Sequence, residues 1–365
     1  MTTKADTPRI IGYDVARFMA VLAMVLVNYR IVLAFGIKSD SVSVFLADAF
    51  TGRASSLFVV LAGIGLTLLD HRQVIIRRGF FLLIIGYLWQ TVWSGDILHF
   101  YGWYLLAGAA ALRLRPIHHF ALAVLCVAIF PLAVFALDGT AMGYGQGWNW
   151  SQLEYPEFWQ PLGQIRNLLL NGWHPLFPWL GFLFLGMGLG RLGLHQPGIR
   201  RSGLLIAVVV FVGAGYLSAW LQQLPDHRPI IEQLSAWWLS PDAMWATSSI
   251  PPGPLYMISA SASSVATLCL LLELCANPVV ARIFRPLALA GQLALSFYLA
   301  HVIFGFRDVI PASSPMNTVE GAQLEMVDQV GLRALQFGIG AVVFAVIWRR
   351  FFVHGPMEWL LRKCS

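Results

Sequence analysis

Apolar runs alternate with short polar connections along almost the whole chain. A hydrocarbon core about 30 Å thick takes roughly 20 apolar residues in a helix. The pattern predicts ten spans, at 11–36, 54–70, 77–94, 97–112, 117–137, 171–190, 202–222, 254–276, 286–306 and 330–352. The third and fourth lie close enough to form a hairpin about Ser94, Gly95 and Asp96. The run at 171–191 has the sharpest internal polarity. It begins with Asn171, Trp173, His174, Pro175, Pro178 and Trp179, continues through Gly181, Gly186, Gly188 and Gly190, and ends on Arg191. Gly186 and Gly190 have GxxxG spacing, which lets a second helix approach closely. That second helix lies either within the bundle or in another protomer, so a homo-oligomer is one expectation.

Charge sets the orientation of these spans. Most of the 24 lysines and arginines fall in one set of connections, among them Arg9, Arg72, Arg77, Arg78, Arg113, Arg115, Arg200, Arg201, Arg349, Arg350 and Arg362. The opposite connections carry acidic residues such as Asp40, Asp48, Asp96, Asp138, Glu154 and Glu157. The positive-inside rule then puts both termini in the cytoplasm and two long loops, 138–166 and 223–253, outside. Tyr144, Trp148, Trp150, Tyr155, Trp159, Trp237, Trp238 and Trp245 in those loops serve either as an interfacial aromatic belt or as stacking surfaces for sugar rings.

Composition narrows the class. Of 365 residues 58% are hydrophobic and 12% charged, against about 25% charged in soluble domains. The expected fold is all-α: a single polytopic membrane domain over residues 1–365. The net charge of +6 is spread over short loops, so it reads as membrane topology rather than nucleic-acid binding. Asp14 and Arg17 interrupt the region a cleaved signal would keep apolar, and the first run is expected to remain a span. Cys126, Cys269, Cys275 and Cys364 have no metal-ligand spacing and read as inert thiols. No metal site is expected.

Charged groups inside a bilayer cost about 2.5–3.5 kcal/mol each on insertion scales, so each needs a partner or a task. Asp14 and Arg17, at i, i+3, form either an ion pair or a site for a charged cytoplasmic ligand. Asn28 lies about 20 Å further along the same helix, either as interhelical glue or in a site. Arg53 opens the second span from outside and either binds a carboxylate or phosphate or snorkels to the interface. Asp96 and His99 are spaced so that the carboxylate can orient the imidazole, as a general base needs. His174 and His301, from distant parts of the chain, fall at a similar outer depth. Asp96, His99, His174 and His301 together predict a buried polar site, where any one histidine alone would read as structural.

At these residues a resemblance enters. The opening RIIGYDVARFMAVLAMVLVNY and the later PLFPWLGFLFLGMGLGR resemble signatures of the transmembrane acyltransferase superfamily that includes heparan-alpha-glucosaminide N-acetyltransferase. GRASSLFVVLAGIGLTLL, GDILHFYGWYLLAG and the tail HGPMEWLLR resemble a bacterial branch of it, and ALAGQLALSFYLAH resembles a late helix of bacterial sugar O-acyltransferases. The resemblance implies transfer of an acyl group, acetyl first of all, from cytoplasmic acyl-CoA to a hydroxyl or amine of an outer-face sugar or lipid headgroup. It implies a bacterial inner membrane, acyl-CoA as co-substrate and no permanently bound cofactor.

On that reading Asp14, Arg17, Arg77 and Arg78 take the CoA. His99, His174 or His301 acts as base, with Asp96 orienting it. Asn28, Arg53, Tyr101 and Trp179 hold the acceptor. One departure stands out: the family's catalytic histidine lies between the first two spans, and residues 31–53 here contain none. Two other readings stay open, a transporter using the same polar groups and a protein whose site has degenerated.

Overall fold

The computed structural model describes residues 9–34, 36–149, 153–223, 241–306 and 320–365. Every named element among them is helical, and the one β-bridge joins Asn149 to Glu154. The helices are α1 (Ile11–Ala34), α2 (Val42–Phe50), α3 (Arg53–Leu69), α4 (Arg72–Trp89), α5 (Leu98–Ala111), α6 (Pro116–Leu137), α7 (Pro161–Arg166), α8 (Leu176–Leu192) and α9 (Pro197–Gln222). They continue with α10 (Pro241–Met244), α11 (Pro254–Leu274), α12 (Pro278–Ile283), α13 (Arg285–Gly291), α14 (Ala294–Gly305), α15 (Glu320–Phe351) and α16 (Pro356–Lys363).

Among the described residues five helices are long and apolar enough to cross a membrane: α1, α6, α9, α11 and the Met326–Phe351 part of α15. Three bent pairs raise the number to eight when each is taken as one span. These are α2 with α3 (42°), α7 and its π-helical extension with α8 (48°), and α13 with α14 (77°). The expected spans at 77–94 and 97–112 coincide with α4 and α5, which lie outside that set. Helix α4 carries Arg72, Arg77 and Arg78, and α5 has only 14 residues.

Helix α1 is the centre of the bundle. Its 24 residues reach about 36 Å, and Val15, Ala16, Phe18, Ala20, Val21 and Val25 are all buried. It packs on α3, α11, α13 and α15. Side chains on α6 and α9 point the other way: Val124, Leu132, Leu205, Val209 and Tyr216 are exposed, the pattern of lipid-facing helices in a chain this apolar.

Glycine decides two contacts. A Cβ on Gly102 would lie 2.6 Å from Leu83 Cγ and 2.8 Å from the Gly79 carbonyl, so α4 and α5 meet only because side chains are missing. The GxxxG pair on α8 settles inside the bundle: Gly186 lies on the Val60 backbone and Gly190 on Thr67, both of α3.

The loop between α6 and α7 folds into a cap over the bundle. Arg166, 2% exposed, donates to the Tyr155 hydroxyl at 2.6 Å and pairs with Glu157. Asn171 donates to the Tyr144 and Gln146 carbonyls at 2.8 and 2.6 Å, and Trp148 Nε1 donates to the Asn171 carbonyl at 2.6 Å. Burial raises the Tyr155 hydroxyl pKa, and the bond from Arg166 opposes the rise. Tyr144, Trp148 and Tyr155 therefore hold the loop down, while Trp159 stays exposed. Trp150, Trp237 and Trp238 lie outside the described residues.

Candidate active site

Two cavities follow one another along the bundle interior. The first, about 390 Å³, is walled by α3, α4, α5 and α16. Arg17, Arg78 and Arg362 supply three cations, while Leu61, Leu66, Leu82 and Leu105 supply an apolar wall. Asp14 stands beside it, nearly fully buried. It accepts from Arg9 at 2.5 Å, Arg17 at 2.7 Å and Gln292 at 3.1 Å, so it holds Arg17 and Gln292 in the lining rather than lining the cavity itself. Arg77 points outward, exposed, and is absent from this lining. The sequence reading also missed Arg362 and Gln292, one hidden in a basic tail and the other in an apolar run.

Glu358 also lines this cavity, and its hydrogen bonds go elsewhere than to the arginines. Its carboxylate accepts from the Leu295 and Ser296 amides at 2.8 and 3.1 Å and from the Ser296 hydroxyl at 2.6 Å. It thus satisfies amides left open at the start of α14, where a helix has no internal acceptor.

Tyr101 closes the far end of the large cavity, its hydroxyl donating to the Phe58 carbonyl at 2.6 Å. Beyond it lies the second cavity, only about 20 Å³ and lined by Asn28, Gly52, Ser55, Gly95, Ile97, His174 and Tyr298 among others. Ser55 and Phe58, Ile97 and Leu98, and Tyr298 and Leu295 are each within one helical turn, about 5 Å. Phe58, Leu98 and Tyr101, with Tyr298 on the far side, form a thin septum between the two spaces.

The histidines separate into three roles. His301 is fully engaged: Nδ1 bonds to the Tyr298 carbonyl and Nε2 lies 2.9 Å from Asn28 Nδ2. With Nδ1 protonated, Nε2 accepts from Asn28 and fixes that side chain. His99 is 1% exposed, with Nδ1 3.6 Å from Asp96 Oδ2, and neither ring nitrogen has a hydrogen-bond partner among the described residues. It is enclosed by Tyr87, Phe100 and Phe158 and lines neither cavity. Asp96 instead accepts from the Tyr298 hydroxyl at 3.1 Å and the Leu98 amide at 2.8 Å. His174 is the histidine that reaches the small cavity, and its Nδ1 is unpartnered.

Two further buried groups near His174 lack partners among the described residues, Trp179 Nε1 and Tyr256 Oη. The His174 and Trp179 rings are 4.5 Å apart, and the Trp179 and Tyr256 rings 6.2 Å. A Cβ on Gly52 would lie 2.5 Å from the Tyr256 hydroxyl. Each orphaned buried group costs about 1–3 kcal/mol; of the three only His174 lines the small void, with Trp179 and Tyr256 packed behind it. Arg53 stands beside it, donating to Ser259 Oγ at 2.9 Å with its guanidinium 5.2 Å from the Phe211 ring. Tyr298 and Tyr256 escaped the sequence reading, although Tyr298 stands at i−3 from His301.

A third cavity, about 910 Å³, is a groove between α6 and α9 lined by apolar residues apart from Ser202 and Ser261. It offers room but no reactive group. Among the described residues no three His, Cys, Asp or Glu side chains converge as a metal would require.

Fold and site define the class: a multi-pass helical membrane protein with a cation-rimmed apolar cavity abutting a small polar one. Residues 9–225, more than half of the chain, match the family of the heparan-alpha-glucosaminide N-acetyltransferase catalytic domain, and residues 229–365 match a protein family of unknown function, DUF418. The chain belongs to this membrane acetyltransferase family. Among curated proteins no match was found. Both matched regions contribute to each cavity, Arg17 and Arg78 with Arg362 in the large one, Asn28 and His174 with Tyr298 in the small one.

Proposed function

We propose that the protein transfers an acyl group, acetyl in the first instance, from cytoplasmic acyl-CoA to an acceptor at the outer face of a bacterial inner membrane. The observation that carries this reading is the end-to-end arrangement of the two cavities. Arg17, Arg78 and Arg362 suit the phosphates of CoA, since charge-assisted contacts to phosphate are the strong ones. The apolar wall suits the pantetheine and acyl chain. The thioester then meets the septum of Phe58, Leu98 and Tyr101, with the acceptor on its other side.

His174 is the base in this scheme. It lines the acceptor cavity with a free ring nitrogen, where His301 and His99 do not. Asp96 acts indirectly, by holding Tyr298. In this scheme His174, which lines the same cavity as Phe50 and Gly52, takes the part of the histidine that residues 31–53 lack.

Calorimetry with acetyl-CoA on the protein in nanodiscs tests the donor half. Saturable binding, weakened roughly 10- to 100-fold by Arg17→Ala, is the expected result, since a hydrogen bond to a charged group contributes about 1.5–3 kcal/mol. No binding to folded protein would refute it. The three bent helix pairs favour a second reading, transport, because broken helices build transporter sites. Movement of a solute across proteoliposomes without release of free CoA would select it.

A further inference from the structure

We infer that the acceptor atom is an uncharged hydroxyl oxygen and not an amine, so that the product is an ester. The inference rests on the acyl-transfer reading and sharpens it.

Size is the first argument. The small cavity, about 20 Å³, holds about one water-sized group, which leaves room for one reacting heteroatom and none for the waters that would solvate an ammonium ion. Charge is the second. Among the described residues no carboxylate lines it; the polar side chains there are Asn28, Ser55, His174 and Tyr298. Asp96, between the lining residues Gly95 and Ile97, is already used: Tyr298 occupies one oxygen at 3.1 Å and the Leu98 amide the other at 2.8 Å. Asp48 on α2 is about half-exposed and paired with Arg30 at 3.2 Å. Arg53 is a neighbouring cation, flanked in sequence by the lining residues Gly52 and Ala54 and bonded to Ser259. An alkylamine reaches neutral pH as an ammonium ion, and burying it here would leave a cation unpaired beside another.

Hydrogen-bond capacity is the third argument. One Nδ2 proton of Asn28 is given to His301; the other can be donated to a hydroxyl oxygen, whose own proton the free Nδ1 of His174 can accept and take away, whereas an ammonium group has no lone pair for that donor. The step balances without oxidant or reductant. The hydroxyl oxygen bonds to the thioester carbonyl carbon and the carbon–sulfur bond breaks. The proton passes through His174 to the leaving thiolate, giving an ester and free CoA.

The test uses the full chain in nanodiscs with acetyl-CoA and two matched acceptors, octyl glucoside and octyl 2-amino-2-deoxyglucoside. Products are read by mass spectrometry before and after hydroxylamine, which cleaves the ester and spares the amide. Hydroxylamine-labile product on both acceptors is expected. Amide as the main product on the amino sugar would overturn the inference while leaving acyl transfer intact. Neither product would overturn acyl transfer, and the inference with it. Ser55→Asp, which adds the missing carboxylate, is expected to raise the amide share roughly tenfold, the scale of one charge-assisted contact. Ser55→Asn serves as the size-matched control. An unchanged share in folded Ser55→Asp protein would count against the charge argument and overturn it.

Discussion

At the scale of single residues, the three outer histidines look alike in the sequence and differ in the fold. His174→Ala is expected to lower acetyl transfer by about 10²–10⁴, the usual range for a general base, with acetyl-CoA affinity unchanged. A turnover assay beside calorimetry separates the two effects. His301→Ala acts differently, because it removes the acceptor that holds Asn28 at 2.9 Å. The spacing of Asp96 and His99 was legible in the chain, and it did bring the two within 3.6 Å. What it could not tell is that the Leu98 and His99 amides and the Tyr298 hydroxyl would claim the carboxylate. Backbone amides at a helix start need acceptors whatever the active site requires.

At the scale of elements, α14 depends on a residue more than 60 positions away. Glu358→Ala removes three hydrogen bonds from its first turn, and a loss of about 1–2 kcal/mol is expected, as for other lost caps. Thermal unfolding in detergent would show it, and Glu358→Gln should recover part. The α4–α5 contact is equally specific. Gly102→Leu has no room beside Leu83 and Gly79 and is expected to cost more than about 1–3 kcal/mol, the range for overpacking. Lower yield of folded protein by size-exclusion chromatography checks this. Long apolar helices such as α1, α6, α9 and α11 were readable because hydrophobic length alone reveals them; the short α2, α7 and α16 were not. The bends at 51–52, 172–175 and 292–293 were not, since each falls inside or beside an apolar run whose average hides the break.

At the scale of the whole molecule, the two family-matched regions share one interior. Arg362→Ala, in the second region, is therefore expected to weaken acetyl-CoA binding about as much as Arg78→Ala in the first, roughly tenfold; titration of both variants decides it. Sidedness has its own test. Cys364 is an exposed thiol, whereas Cys126 and Cys269 are buried. In right-side-out vesicles an impermeant maleimide should label Cys364 only after the membrane is opened, as a cytoplasmic C-terminus requires.

The sequence by itself determined that this chain is a helical membrane protein and to which family it belongs. Hydrophobic length and short motifs are local properties, read without knowing what touches what. Only the tertiary structure decided that Arg17, Arg78 and Arg362 rim one cavity, that Asp14 braces it, and that His174 rather than His99 or His301 reaches the other. Those are contacts between helices far apart in the chain. They are set by where glycines let backbones approach and by which buried polar groups find partners, and neither is written in any one segment.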